Sequence, residues 1–140
     1  MTQDIRAFNR FYTDILGLLD SHLLNSKYSL AEARILYEIS QRGSCHAAHI
    51  MTVTHMDKSY LSRLIRKLEK EKLISRKRSQ EDARSVHLTL TAKGEREFHI
   101  LNEASEHQIK RLLDPLSIAR KEQLVYHMKE IMQILSDKIN

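Results

Sequence analysis

At 140 residues the chain is long enough for one compact domain with its own core, and only three Gly and one Pro interrupt it, so a mostly helical fold is the first expectation. A lone cysteine, Cys45, excludes an internal disulfide and fits a reducing cytoplasm. The start carries Asp4, Arg6 and Arg10 where a signal peptide would be apolar, and no apolar run nears the roughly 18 residues of a membrane span, so a cytoplasmic protein with no membrane partner is expected. The formal charge of +5 is unevenly spread: His46 to Lys93 holds eleven Lys/Arg against five Asp/Glu, and the rest holds twelve against thirteen. Such a segment suits either a polyanionic partner or a solvated face, and charge alone does not choose between them.

Ile5, Phe8, Tyr12, Ile15, Leu19 and Leu23 form a helical stripe that predicts a first helix ending near Asn25. Ser29 with Glu32 three residues on reads as a capping box, opening a second helix that carries Ile35, Leu36 and Ile39 and stops at Gly43. A short helix is expected from about His46 to Val53. Asp57 then caps a longer one running to about Lys72. Leu61, Leu64, Ile65 and Leu68 share one face of that helix, while Ser59, Ser62, Arg63, Arg66 and Lys70 fall opposite. Residues 74–78 and 86–90 read as two short strands joined by the polar turn Ser79–Ala83, since Val86, Leu88 and Leu90 alternate with His87 and Thr89. Thr91 caps a long helix, Pro115 breaks it, and Ser117 starts a last helix with Leu124, Met128, Ile131 and Leu135 near heptad spacing.

A short helix, a tight turn, and a longer basic helix followed by a hairpin make the arrangement of a winged helix-turn-helix. A DNA major groove accepts one α-helix, whose N-terminal residues reach base edges. Here those residues are Lys58, Ser59, Tyr60, Ser62 and Arg63, with Arg63 able to meet a guanine edge bidentately. Arg66, Lys67 and Lys70 lie farther along, where phosphate contact is expected. Arg76, Lys77, Arg78 and Arg84 cluster on the hairpin, which could enter the adjacent minor groove. A basic helix with an apolar face is by itself usually a plain surface helix; the basic hairpin at this distance is what favours DNA.

The same residues carry a family resemblance. Asp57-Lys58-Ser59-Tyr60-Leu61-Ser62-Arg63-Leu64 and Leu68-Glu69-Lys70-Glu71-Lys72-Leu73-Ile74 resemble the recognition helix of the MarR family of bacterial regulators. Glu81-Asp82-Ala83-Arg84-Ser85 and Leu88-Thr89-Leu90-Thr91-Ala92-Lys93-Gly94 resemble its D-x-R wing and L-x-L-T-x-x-G junction. The resemblance implies a mostly α fold with a two-stranded wing over residues 1–140, in which 29–91 form the DNA-binding lobe and 1–28 and 92–140 the dimerisation helices. It makes Arg84 the minor-groove arginine and Asp82 the holder of the wing turn. It also implies a homodimer through the first and last helices, matching the stripes of Ile5, Phe8, Tyr12 and Ile15 and of Leu124, Met128, Ile131 and Leu135. The expected partner is double-stranded DNA with inverted half-sites, and the expected outcome is repression. Two departures stand out: Met51 where the family has a small residue, and His55 where glycine is common, either of which could alter the angle between the two helices.

Phe8-Asn9-Arg10-Phe11-Tyr12, Leu18-Leu19-Asp20 and Ser29-Leu30-Ala31-Glu32-Ala33-Arg34 are similar to MarR domains fused to GNAT-type acetyltransferases, so a stand-alone relative and a detached regulatory half both stay open. So does a protein-interaction module that keeps the fold without binding DNA. No nucleophile–base pair, carboxylate pair or metal set stands at usable spacing, so no enzyme, cofactor or metal is expected; His46 and His49, with His22 or His107, form no compact ligand cluster. Cys45 reads as a small structural residue. A small-molecule effector of the kind the family binds would draw on Phe8, Tyr12, Tyr37 or His22, each of which reads equally as core.

Overall fold

The structure, a computed structural model, describes residues 1–17, 23–78 and 86–136. They belong to two compact units, Met1–Ala104 and Ser105–Asn140. The first holds α1 (Thr2–Ile15), a 3₁₀ turn (Leu23–Asn25), α2 (Leu30–Arg42), α3 (Ala47–Thr54), α4 (Lys58–Lys70), β1 (Ile74–Arg78), β2 (Val86–Leu90) and the start of α5 (Ala92–Leu113). The second holds the end of α5 and α6 (Ile118–Ser136).

The first helix is shorter than its apolar stripe predicts. α1 stops at Ile15, because Leu16 N–H reaches Tyr12 O at 3.0 Å and Gly17, at φ +63°, turns the chain out while donating to Asp14 O at 2.9 Å. Periodicity alone cannot see such a stop. Leu19 lies outside the described residues, and Leu24 and Asn25 also take positive φ.

α2 begins as its sequence demands. Ser29 Oγ accepts the Glu32 amide at 3.2 Å, and Glu32 Oε2 accepts the Ser29 amide at 2.9 Å. Its inner face of Ile35, Leu36 and Ile39 is fully buried and forms the centre of a core shared with Ile50 of α3, Leu61, Ile65 and Leu68 of α4, and Leu88 of β2. Burying each such side chain contributes about 1.5–3 kcal/mol.

α4 ends at Lys70, two residues before the expected end. Lys72 takes a left-handed φ of 60°, its amide returns to Glu69 O, and Leu73 N–H bonds Leu68 O at 2.9 Å, which closes the helix with a lysine where glycine is usual. The strands pair antiparallel from Ile74↔Leu90 to Arg78↔Val86, as the alternation predicts. A third segment joins them unannounced: Cys45 donates to Leu88 O at 3.0 Å and Leu88 donates back to Cys45 O at 2.8 Å. The expected turn Ser79–Ala83, with Asp82, and Arg84 beyond it lie outside the described residues. In the second unit Leu116 N–H closes on Leu113 O at 2.9 Å beside Pro115, and α6 then runs with no buried residue.

Candidate nucleic-acid interface

α3 and α4 are joined through His55, which occupies the left-handed region at φ 55°, ψ 24°. The turn therefore keeps the backbone that glycine would adopt, with histidine in its place. Met51 is half-buried and packs on the core with Met56, so the larger side chain is absorbed by packing. Asp57 Oδ2 accepts the amides of Ser59 at 2.9 Å and Tyr60 at 3.1 Å, fixing the start of α4.

The apolar side of α4 is buried, which turns its opposite face to solvent. Lys58, Ser59, Tyr60, Arg63, Arg66, Lys67 and Lys70 are exposed and Ser62 is half-buried. The Arg63 guanidinium lies 5.6 Å from the Tyr60 ring centroid, a cation–π distance that gathers arginine and phenol at the first turns. Among the described residues no carboxylate is in ion-pair range of Lys58, Arg63, Arg66 or Lys70. Four exposed cations on α4 with no counter-charge among the described residues suit a polyanion.

Two of the basic residues predicted for this site are engaged elsewhere. Lys67 Nζ donates to Glu32 Oε1, which holds the ammonium pKa above its ordinary value. Glu32 is buried and already caps α2 through its other oxygen, so this carboxylate clamps α4 to α2. Arg76 on β1 makes a bidentate pair with Glu69 of α4, at 2.6 and 3.1 Å, which likewise raises its pKa and ties the strand to the helix. Sequence reading missed both partners because the spacings, 35 and 7 residues, cross between elements. Lys77 and Arg78 are exposed, opposite His87 and Val86 in the ladder.

At the end of the ladder where Arg78 pairs with Val86, His46 Nδ1 lies 3.1 Å from Val86 O, and its ring sits 4.0 Å from that of His87. His49 instead approaches the buried Glu38, 3.8 Å away, which Arg34 also holds at 2.7 Å. Cys45 is buried in the core, and burial raises its thiol pKa. A cleft of about 320 Å³ opens between Ile39, Ser40 and Gly43 of the α2 end, Leu90, and Glu95, Phe98 and His99 of α5. Of the aromatic residues suggested for a ligand, none lines this cleft among the described residues: Tyr37 borders a shallow depression with Arg34 and His49, Phe8 stacks on Tyr12 at 5.6 Å, and His22 lies outside the described residues.

The residues expected to dimerise sit on incompletely covered helices. On α1, Ile5 and Phe8 are exposed and Tyr12 and Ile15 half-buried; on α6, Ile131 and Leu135 are exposed and Leu124 and Met128 half-buried. Among the described residues no helix is long and apolar enough to cross a membrane.

The MarR family model matches residues 28–86, a span that contains α2, the helix-turn-helix and β1. The HTH-type transcriptional regulator BilQ of Clostridium symbiosum is 27% identical over 114 residues, covering 81% of this chain and 79% of that protein. FabT of Streptococcus pneumoniae, solved in complex with DNA, shares the fold with a TM-score of 0.84 at 20% identity, over 98% of this chain and 99% of that one. BpsR of Bordetella bronchiseptica does so with a TM-score of 0.73 at 21% identity, over 93% of this chain and 98% of that one. Six helices with a two-stranded antiparallel hairpin among the described residues, a basic helix presented on a buried core, and the match of residues 28–86 to the MarR family make the chain similar to that family's winged-helix DNA-binding transcriptional regulators.

Proposed function

We propose that the chain works as a homodimer that lays α4 of each protomer into successive major grooves of an inverted-repeat operator, with the hairpin following the adjacent minor groove, and represses by occupying promoter DNA. The observation that carries this reading is the set of cations Lys58, Arg63, Arg66 and Lys70, exposed and with no carboxylate partner among the described residues, on a helix whose other face is locked in the core. Arg63 with Ser59, Tyr60 and Ser62 reads base edges. Arg66 and Lys70 meet phosphate, and Lys77, Arg78 and Arg84 serve the wing, whose turn Asp82 holds. The exposed apolar residues of α1 and α6 supply the dimer contact, since a soluble protomer rarely leaves so much apolar surface unpaired.

A small-molecule effector fits the same scheme. BpsR has its DNA binding regulated by 6-hydroxynicotinic acid. In this chain the half-open cleft beside Phe98 and His99, with Glu95 at its edge, is one place among the described residues where a small ring-bearing ligand could sit. The function is tested by selecting bound sequences from random duplexes with the full chain and titrating the recovered duplex across salt. An inverted repeat whose affinity falls steeply with salt supports it; binding that ignores both sequence and salt sinks it and points to a protein-interaction module.

A further inference from the structure

The carbonyls of Glu71, Lys72 and Leu73, in the turn that leaves α4, are met by the beginning of α5. Here Lys93 Nζ donates to Glu71 O at 2.8 Å, Thr91 Oγ1 to Lys72 O at 2.6 Å, and Thr91 N–H to Leu73 O at 3.0 Å. The same Thr91 hydroxyl oxygen accepts the Gly94 amide at 3.0 Å, so one side chain both caps α5 and closes α4. Gly94 is buried against the same turn: a Cβ there would stand 1.9 Å from Leu73 O and 2.9 Å from Leu73 C, so only glycine permits the approach. A separate tie grips the next turn of α5, where the buried Tyr28 donates its hydroxyl to Glu97 Oε2 at 3.0 Å.

We infer that Thr91, Lys93 and Gly94 are positioning residues for DNA recognition: they fasten the exit of the recognition helix to the first turns of α5, so that α4 points wherever α5 points. The Glu69–Arg76 pair adds β1 to the same body. A joint of this kind acts on geometry rather than contact, for none of the three residues belongs to the DNA-facing set. Its consequence for operator choice rests on the homodimer reading. A two-fold pair of helices held stiffly selects one half-site spacing, and a loosened pair loses that selection while each helix still binds its own half-site.

Gly94→Ala crowds the Leu73 backbone and endangers the fold itself, so the deciding variant is Thr91→Val with Lys93→Met, and Thr91→Ser is the conservative control. Wild type and variants, checked for folding by circular dichroism, are titrated with the selected inverted repeat and with the same duplex after one half is scrambled. The double variant is expected to lose about tenfold or more on the inverted repeat and no more than about twofold on the single half-site, with Thr91→Ser close to wild type. In parallel, nitroxide labels at Arg66→Cys and Arg96→Cys report the α4–α5 distance within one protomer, labelled chain being diluted in unlabelled chain; Cys45 is buried. A distribution broadened by the double variant supports the joint, and an unchanged one overturns it, as does an equal loss on both duplexes. Should wild type bind both duplexes equally, the dimer reading falls, and the label distance alone still decides the joint.

Discussion

α4 and α6 both carry apolar side chains at helical spacing, yet they end in opposite conditions. On α4 Leu61, Ile65 and Leu68 are at most 3% exposed, whereas on α6 Ile131, Met132, Ile134 and Leu135 are 39–66% exposed and no residue is buried. One stripe is satisfied inside its own unit, and that is why its opposite face can be read as an interaction surface. The other is left with its apolar side chains facing outward, the surface that the proposed homodimer would cover. The strongest way to break this contrast is to charge the α6 surface. Ile131→Asp with Leu135→Asp should leave the DNA-binding lobe folded, convert the protein to a monomer by sedimentation, and cut affinity for an inverted repeat by about 100-fold or more, because the second half-site would no longer be reached by a tethered partner. A dimer that survives both substitutions would remove α6 from the interface.

Within α4 the contrast sharpens between cations that are free and cations that are tied. Arg63→Ala should cost about 1–3 kcal/mol of discrimination, roughly five- to 150-fold, and relax base preference at one position of each half-site in a repeat of the sequence selection. Arg66→Ala should weaken all sequences alike and lower the salt slope by about one. Lys67→Met should affect DNA less than either. Its cost falls on the fold, at about 1 kcal/mol or less, because the lysine is half-exposed and solvent screens the pair, while the buried Glu32 carboxylate keeps the Ser29 amide. A larger loss of DNA affinity for Lys67→Met than for Arg66→Ala would show that Lys67 leaves Glu32 when DNA arrives.

Much of this was readable in the chain itself, for identifiable reasons. Capping boxes, period-two strands and breakers are local, so Ser29, Asp57, Thr91 and the 74–78/86–90 hairpin stand where their residues announce them. Failures came where a local pattern was overruled or a partner lay far along the chain. The stripe from Ile5 to Leu23 runs through Gly17, whose positive φ ends α1 regardless of periodicity. Cys45 pairing with Leu88, Glu32 with Lys67, and Lys93 with Glu71 each join segments between 22 and 43 residues apart, and no spacing rule reports them. The basic face was legible as a set, but which cations are free depends on those remote carboxylates.

The buried lobe also differs from the exposed helices in how alkali should affect it. Cys45, ordinarily near 9.0, and Tyr28, ordinarily near 10.0, both have raised pKa values, burial being the first cause in each, with Glu97 adding to the shift at Tyr28. The unfolded chain therefore releases these protons first as pH rises. Their contribution to stability is fully present below about pH 9 and is lost progressively through the folded-state values above it. Urea midpoints should fall between about pH 9 and pH 11 more steeply in wild type than in Tyr28→Phe. That variant should be less stable near neutrality by about 1 kcal/mol for the lost Glu97 bond, and the gap should narrow as pH climbs. Parallel curves would mean that Tyr28 does not titrate with folding.

The smallest expected effect concerns the turn of the helix-turn-helix, where a left-handed backbone is made without glycine. His55 stands at φ 55°, ψ 24°, a region that costs an L-residue about 1–2 kcal/mol, whereas glycine enters it freely but gives up about 0.5–1 kcal/mol of extra unfolded-state entropy. His55→Gly should thus stabilise the fold by no more than about 1.5 kcal/mol, a shift of a few degrees in melting temperature. Operator affinity should stay within error of wild type, because the backbone of the turn is already the one glycine would take and Met51 and Met56 hold α3 against the core from the other side. A gain in stability with a loss of operator affinity would instead assign the imidazole itself a place on the DNA, at the joint between the two helices.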